Sequence, residues 1–320
     1  GPSPKVLDAI RAELSELTRY PDGNGFALKQ RLAERYSVGI NQVTLGNGSN
    51  DILELVARAY LAPGLNAVFS EHAFAVYPIA TQAVGAEGRA VPARSWGHDL
   101  DAMAAAIDEN TRVVFVANPN NPTGTWFDAA ALGGFLARVP ERVLVVLDEA
   151  YIEYAEGQEL PDGLAFLADY PNLLVSRTFS KAYGLAALRV GYAISSPVIA
   201  DVLNRVRQPF NVNSLALTAA CAALDDVDYL LASRKANDAG MLQLETGFRQ
   251  LGLEWIPSRG NFIAVDFARD AAPINQALLR EGVIVRPVAG YGMPTFLRIS
   301  IGTEQENARF LDVLRQVLAQ

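Results

Sequence analysis

The chain is predicted to fold as an α/β protein, with a mainly parallel seven-stranded sheet in a large unit and a smaller α+β unit beside it. Three observations carry this expectation. Short apolar runs recur through the first two thirds of the chain with helix-like stretches between most of them, the pattern of strand–crossover–strand connections. The strongest run, Val143-Leu144-Val145-Val146-Leu147, is apolar at every position, as in a parallel strand covered on both faces. Several runs end in polar or glycine-rich segments, at the strand edge where open α/β sheets bind ligands.

In chain order, residues 5–17 have a helical apolar pattern and are expected to join the smaller unit. Residues 43–45 read as the first strand, a glycine-containing turn follows, and residues 52–60 continue as a helix. Further strands are expected at 66–69, 89–91, 113–116, 143–147, 173–175 and 190–195, with helices at 129–138 and 197–207. A long amphipathic stretch, 226–252, leads into the smaller unit, where 262–267, 283–285 and 297–301 read as strands. The large unit is expected over residues 21–232 and the smaller over 1–20 and 233–320.

Composition excludes more than it selects. The 320 residues carry 27 Lys and Arg against 35 Asp and Glu, a net charge of −8. A nucleic-acid partner needs a basic face, so that class is disfavoured. Half the residues are hydrophobic, which is ordinary for a soluble α/β enzyme. No apolar run approaches the ~20 residues of a membrane-spanning helix. The lone cysteine, Cys221, cannot make an internal disulfide and reads as core packing, which suits a cytoplasmic protein. His72 and His98 have no second ligand at metal spacing, so no metal site is expected. His72 reads equally as pocket lining or as a polar loop residue. Trp96, Trp126 and Trp255 read as packing anchors, and Arg205 and Arg207 as a solvated helix face.

Four segments carry chemistry. In Ser176-Arg177-Thr178-Phe179-Ser180-Lys181-Ala182-Tyr183-Gly184, a lysine follows a core strand, with Arg189 eight residues on. A lysine there is either solvated in a surface loop or chemically employed. A desolvated lysine has a lowered pKa and forms Schiff bases with aldehydes such as pyridoxal phosphate, whose phosphate Thr178, Ser180 and Arg189 would suit. Asp148 ends the 143–147 run, where it either caps the next helix or pairs with a protonated pyridine nitrogen. Tyr151, three residues on, is placed to bond a ring oxygen. In Asn118-Pro119-Asn120-Asn121-Pro122-Thr123-Gly124, turn chemistry accounts for every residue, and Asn121 also offers an amide to that oxygen. Gly46-Asn47-Gly48-Ser49-Asn50 opens a helix and leaves backbone N–H groups free for a phosphate.

Taken jointly and in this order, the four segments resemble the fold type I pyridoxal-phosphate-dependent aminotransferases over nearly the whole chain. Within them the likeness is to the histidinol-phosphate aminotransferase family, through Arg19-Tyr20-Pro21-Asp22, the segment from Arg177 to Gly191, and Phe296-Leu297-Arg298-Ile299-Ser300-Ile301-Gly302-Thr303. Gly1-Pro2-Ser3-Pro4 is similar to the second half of a longer family segment, so the numbering is expected to begin inside that pattern. The resemblance implies that Lys181 holds the cofactor and shuttles a proton, that Asp148 pairs with its ring nitrogen, and that Asn121 and Tyr151 hold its O3′. It assigns Ser49, Asn50, Thr178, Ser180 and Arg189 to the phosphate, with Tyr20 reaching the same phosphate from the partner of a homodimer. Phe74 stands where the family often has a stacking tyrosine, and Asn50 where it often has aspartate. Arg298 would clamp a substrate carboxylate, and Arg286 is the candidate for a second anion. The implied reaction is transfer of an amino group from L-histidinol phosphate to 2-oxoglutarate. An aromatic amino acid aminotransferase, a threonine-phosphate decarboxylase and a non-catalytic cofactor-sensing domain remain alternatives.

Overall fold

The computed structural model describes residues 1–155 and 160–319. The large sheet is built from β1 (Val43–Gly46), β2 (Asn66–Ser70), β3 (Glu87–Val91), β4 (Thr111–Ala117), β5 (Leu144–Asp148), β6 (Leu173–Thr178) and β7 (Gly191–Ser195). Their order is β1-β7-β6-β5-β4-β2-β3. All run the same way except β7, which is antiparallel to both neighbours. Every residue of β5 and β6 is buried, as expected for valine- and leucine-rich strands covered on both faces.

The covering helices of this part are α1 (Pro4–Glu13), α2 (Phe26–Tyr36), α3 (Ser49–Tyr60), α4 (Val76–Ala83), α5 (Leu100–Ala105), α6 (Ala129–Leu136), α7 (Ile152–Ala155), α8 (Pro197–Val206) and α9 (Ser214–Leu224). The sequence reading joins α1 to the smaller unit. In the structure α1 packs on α9, and its Val6 lies in a cluster with Leu28, Val43 and Tyr192. Amphipathicity marks a helix as having a buried face but not which surface receives it.

The 24-residue α10 (Val227–Gln250) leads to β8 (Glu254–Ile256), β9 (Phe262–Asp266), α11 (Ala272–Arg280), β10 (Arg286–Pro287), β11 (Phe296–Ser300) and α12 (Glu304–Leu318). These strands form an antiparallel sheet in the order β10-β11-β9-β8. Leu244 and Phe248 of α10 pack with Phe310 and Leu314 of α12 over its face. The strand expected at 283–285 begins only at Arg286. Val283 N–H instead closes the end of α11 on Leu278 O at 2.9 Å, after Gly282 in the left-handed region. β8 escaped the sequence reading because three residues carry too little periodicity.

One buried ion pair locks the two strand ends that matter most. Arg177 of β6 donates through Nε and Nη2 to Glu149 Oε2 at 2.9 and 2.7 Å, while Glu149 Oε1 accepts Gly163 N–H at 2.8 Å. Both side chains are buried and Arg177 Nη2 also reaches Asp162 Oδ1 at 2.6 Å, so it is removal of Arg177 that strands a buried charge on Glu149, at a cost of about 3–5 kcal/mol. Nearby, Glu153 is buried and neither carboxylate oxygen has a partner among the described residues. Burial raises its pKa from 4.5 to about 7. The folded chain therefore holds this proton where the unfolded chain has lost it, and stability falls as pH rises between those values. Glu153→Gln is expected to be the more stable protein at pH 8, by up to about 3 kcal/mol relative to its difference at pH 4. Chemical denaturation at the two pH values checks this; a pH-independent difference would exclude the buried acid.

Candidate active site

The segments at the carboxyl ends of five parallel strands, β1, β2, β4, β5 and β6, meet around one cavity of about 190 Å³. Sheet register brings the chemistry together: Ala117 of β4 pairs with Asp148 of β5, which pairs with Ser176 of β6. The chain then turns out of β4 toward Asn121 and out of β6 toward Lys181. Ser49, Asn50, Phe74, Asn121, Asp148, Tyr151, Thr178, Ser180, Lys181 and Arg189, dispersed over 140 positions of sequence, all line this cavity — ten of the residues named from sequence.

At one end, α3 begins at Ser49, three residues earlier than the apolar pattern showed, so Ser49 and Asn50 occupy its first turn with N–H groups unused by the helix. Gly48 sits at φ +82°, and a Cβ there would lie 2.5 Å from Arg189 Nη2. A side chain at 48 would thus displace the guanidinium from the loop. Arg189 donates to Ala186 O at 2.9 Å, and Ser180 N–H donates to Thr178 Oγ1 at 3.1 Å. Free N–H groups, three hydroxyls and a guanidinium at this end are donors suited to a phosphate.

At the other end, Asp148 is buried, and this raises its pKa to about 6. Two donors oppose the effect: Tyr77 O–H gives to Oδ2 at 3.0 Å and Ala150 N–H to Oδ1 at 3.2 Å. The second contact is the local turn bond of the capping alternative, so one carboxylate serves both the turn and the cavity. Tyr77 is the residue the sequence reading missed. It is fully buried, stacks on Phe115 at 4.9 Å and meets Phe74 edge-on at 5.9 Å. Its only sequence signal is the spacing of three from Phe74, one helical turn. Tyr77→Phe is expected to raise the Asp148 pKa by about one pH unit, the value of a hydrogen bond to a charged group. Carbon NMR titration of Asp148 in the cofactor-free protein reads this directly; an unmoved midpoint removes Tyr77 from the account.

Lys181 is partly buried, and its amine pKa is lowered, by desolvation first and then by Arg298 and Arg189, against the pull of Asp148. Its Nζ lies 5.3 Å from the centre of the Tyr151 ring. Tyr151 is buried and packs edge-on to Phe262 at 5.2 Å, and burial raises its pKa. Arg298, on β11, donates to Asn121 Oδ1 and stacks over Phe262 at 4.8 Å. The smaller sheet therefore borders the site through Arg298 of β11 and Phe262 of β9.

Tyr20, Arg286 and Arg298 do not line this cavity, although Arg298 touches its rim at Asn121. Tyr20 is 84% exposed and Arg286 is exposed, directly across the β10–β11 pair from Arg298. Residues opposite one another in an antiparallel pair share a face, and two like charges there repel unless an anion lies between them. His72 is buried, its Nδ1 donating to Tyr291 O at 2.6 Å, and His98 Nε2 accepts Ala117 N–H at 3.1 Å. Burial holds the His98 pKa down at about 4, a neutral strut at the end of β4. No group of three or more metal-ligating side chains occurs among the described residues.

A partly buried amine of lowered pKa, a buried carboxylate in the same cavity and a set of hydrogen-bond donors suited to an anion match what pyridoxal phosphate requires, and the donor set fits it. The family description "Aminotransferase class I and II" matches residues 1–314. The chain is 81% identical over 319 residues to histidinol-phosphate aminotransferase 2 of Pseudomonas aeruginosa, covering 100% of this chain and 86% of that one. It is 66% identical to histidinol-phosphate aminotransferase of Stutzerimonas stutzeri, covering 100% of this chain and 87% of the relative. Among solved structures, histidinol-phosphate aminotransferase from Sinorhizobium meliloti in complex with pyridoxal-5'-phosphate superposes with a TM-score of 0.95 at 33% identity, covering 100% of this chain and 88% of that one. The chain therefore belongs to the class I and II aminotransferases and, within them, to the histidinol-phosphate aminotransferases.

Proposed function

We propose that this chain transfers the amino group of L-histidinol phosphate to 2-oxoglutarate, giving imidazole acetol phosphate and glutamate, with pyridoxal phosphate as cofactor. The observation that carries the reaction type is the placement of Lys181 and Asp148 in one cavity at the strand ends. The relationship to named histidinol-phosphate aminotransferases supports the substrate. When bound, the cofactor supplies an aldehyde that condenses with amines and a pyridine ring that draws electrons from the substrate carbon. The chain supplies the rest. Lys181 anchors the cofactor, and its amine, shifted toward neutrality, takes the proton from the substrate's amine-bearing carbon and returns it. Asp148 holds a proton at the ring nitrogen. Asn121 and Tyr151 hold O3′, Phe74 covers the ring face, and the Ser49–Asn50 turn with Thr178, Ser180 and Arg189 holds the phosphate.

The same proposal includes a homodimer in which Tyr20 reaches the partner's cofactor phosphate. Its exposure on its own chain supports this. An interface of more than about 2,000 Å² is expected, with no folded monomer on sedimentation. A cytoplasmic location belongs to the same reading and fits the single cysteine.

Substrate choice is tested by half-reactions with histidinol phosphate, glutamate, phenylalanine and threonine phosphate. Arg298→Lys is expected to damage mainly the glutamate half-reaction, because a guanidinium holds a carboxylate at two points. Arg286→Ala is expected to weaken histidinol phosphate binding by about 2 kcal/mol. Faster turnover of phenylalanine than of histidinol phosphate, unaffected by Arg286→Ala, would overturn the substrate assignment. Release of carbon dioxide from threonine phosphate would point to the decarboxylase.

A further inference from the structure

Tyr20 does not project alone. Its ring lies on Phe210, with centroids 5.0 Å apart and planes 26° from parallel. Two exposed aromatic side chains in contact are unusual enough to ask what holds them. Phe210 has φ +56°, in the left-handed region that a non-glycine residue enters only at a cost. Its ring also lies close to Gly23, where an added Cβ would sit 3.1 Å from ring carbon Cε1. The Tyr20 turn is itself clamped, since Asp22 accepts Asn24 N–H at 3.0 Å and Phe26 N–H at 2.7 Å. On the other flank the neighbouring Asn211 donates to Leu45 O at 3.0 Å and to Asp51 Oδ2 at 2.9 Å, and the same Asp51 oxygen accepts Asn47 N–H at 2.9 Å. The platform is thus anchored to the phosphate loop of its own chain while Tyr20 faces outward.

We propose that Phe210 is a positioning residue: its ring holds Tyr20 in the orientation that delivers the phenol to the cofactor phosphate of the partner subunit. The strained backbone and the bare Gly23 surface have a common purpose on this reading, because together they bring the Phe210 ring flat beneath Tyr20. The anchoring through Asn211 and Asp51 ties the donated phenol to the donor's own phosphate loop, so the two sites of a dimer share one framework. This rests on the dimer with Tyr20 crossing that was proposed above.

The test measures cofactor affinity by absorbance, with sedimentation and thermal midpoint as controls. Phe210→Ala is expected to raise the dissociation constant of pyridoxal phosphate about three- to tenfold, the worth of a stacked aromatic pair. Phe210→Leu, which keeps apolar volume without a flat ring, is expected to do the same, and Phe210→Tyr to restore wild-type affinity. Tyr20→Phe, which removes the phenol hydroxyl, is expected to weaken affinity at least as much. Mixed dimers locate the effect. Paired with a Lys181→Ala chain, a Phe210→Ala chain carries the dimer's sole Lys181 and receives Tyr20 from an intact platform, so borohydride-fixed cofactor should load at wild-type affinity. With both substitutions on one chain and wild type as partner, the sole Lys181 receives Tyr20 from the damaged platform and loads weakly. Equal loading in the two hybrids, or wild-type affinity in Phe210→Ala and Phe210→Leu while Tyr20→Phe is impaired, would overturn the role of Phe210. Wild-type affinity in Tyr20→Phe, or a folded monomer, would overturn the crossing reading beneath it.

Discussion

Lys181→Ala is expected to abolish turnover, with a loss of at least about 10⁴-fold, while the fold survives. One amine performs two duties in the proposed reaction, anchoring the cofactor and moving the substrate proton, and proton transfer alone is worth about 10²–10⁴. Stability points the other way. The amine is desolvated and stands near Arg298 and Arg189, whose charges lower its pKa together with burial. Removing it relieves repulsion, so the thermal midpoint should hold or rise. Steady-state kinetics with calorimetry separates the two quantities, and borohydride reduction of cofactor-loaded wild type should label Lys181. A label on another lysine, or appreciable turnover by the alanine variant, defeats the assignment.

Asp148→Asn is expected to lower the rate by at least about 10²-fold, the scale of removing a preorganised electrostatic partner. The amide keeps nearly the same shape: with its oxygen toward Ala150 N–H it still accepts there, and its NH2 then faces the Tyr77 hydroxyl, whose oxygen can accept in turn. What it loses is the negative charge that keeps a proton on the ring nitrogen. The sign of the stability change follows from burial. The carboxylate titrates at about 6 in the folded protein, above its ordinary 3.8, so holding it ionised at neutral pH costs stability that the neutral amide does not. The variant should therefore be slower yet no less stable above pH 6. Near-normal rates would reduce Asp148 to its turn bond with Ala150.

The site residues differ in how openly the sequence showed them. Lys181, Asp148 and Asn121 stood at the ends of apolar runs, and strand ends are where a buried polar group needs a reason. Ten named residues line one cavity because their strands are adjacent in the sheet. Glu149 and Arg177 were visible within the same motifs, yet nothing local marked them as a pair. They lie 28 positions apart and meet only because β5 and β6 are neighbours. Tyr77 drew no reading from the sequence; only the folded sheet brings Asp148 to its hydroxyl. The strand expected at 283–285 gave way to Arg286 because the end of α11 claimed Val283 N–H, a competition that hydropathy does not record.

The sequence by itself determined the α/β class, the large parallel sheet, the long helix leading to the smaller sheet and ten of the residues that line the cavity. Period, strand length and turn composition are local properties, and they survive in a one-dimensional reading. Only the tertiary structure decided the rest: that β7 runs against its neighbours, that α1 packs on α9, that Arg298 reaches Asn121 across 177 positions, and that Tyr20 rests on Phe210. Each of these depends on which buried face meets which, and on burial that turns a hydroxyl, an amine or a carboxylate into a partner of something distant. A side chain's desolvation is set by everything packed around it, and that sum exists only once the chain has folded.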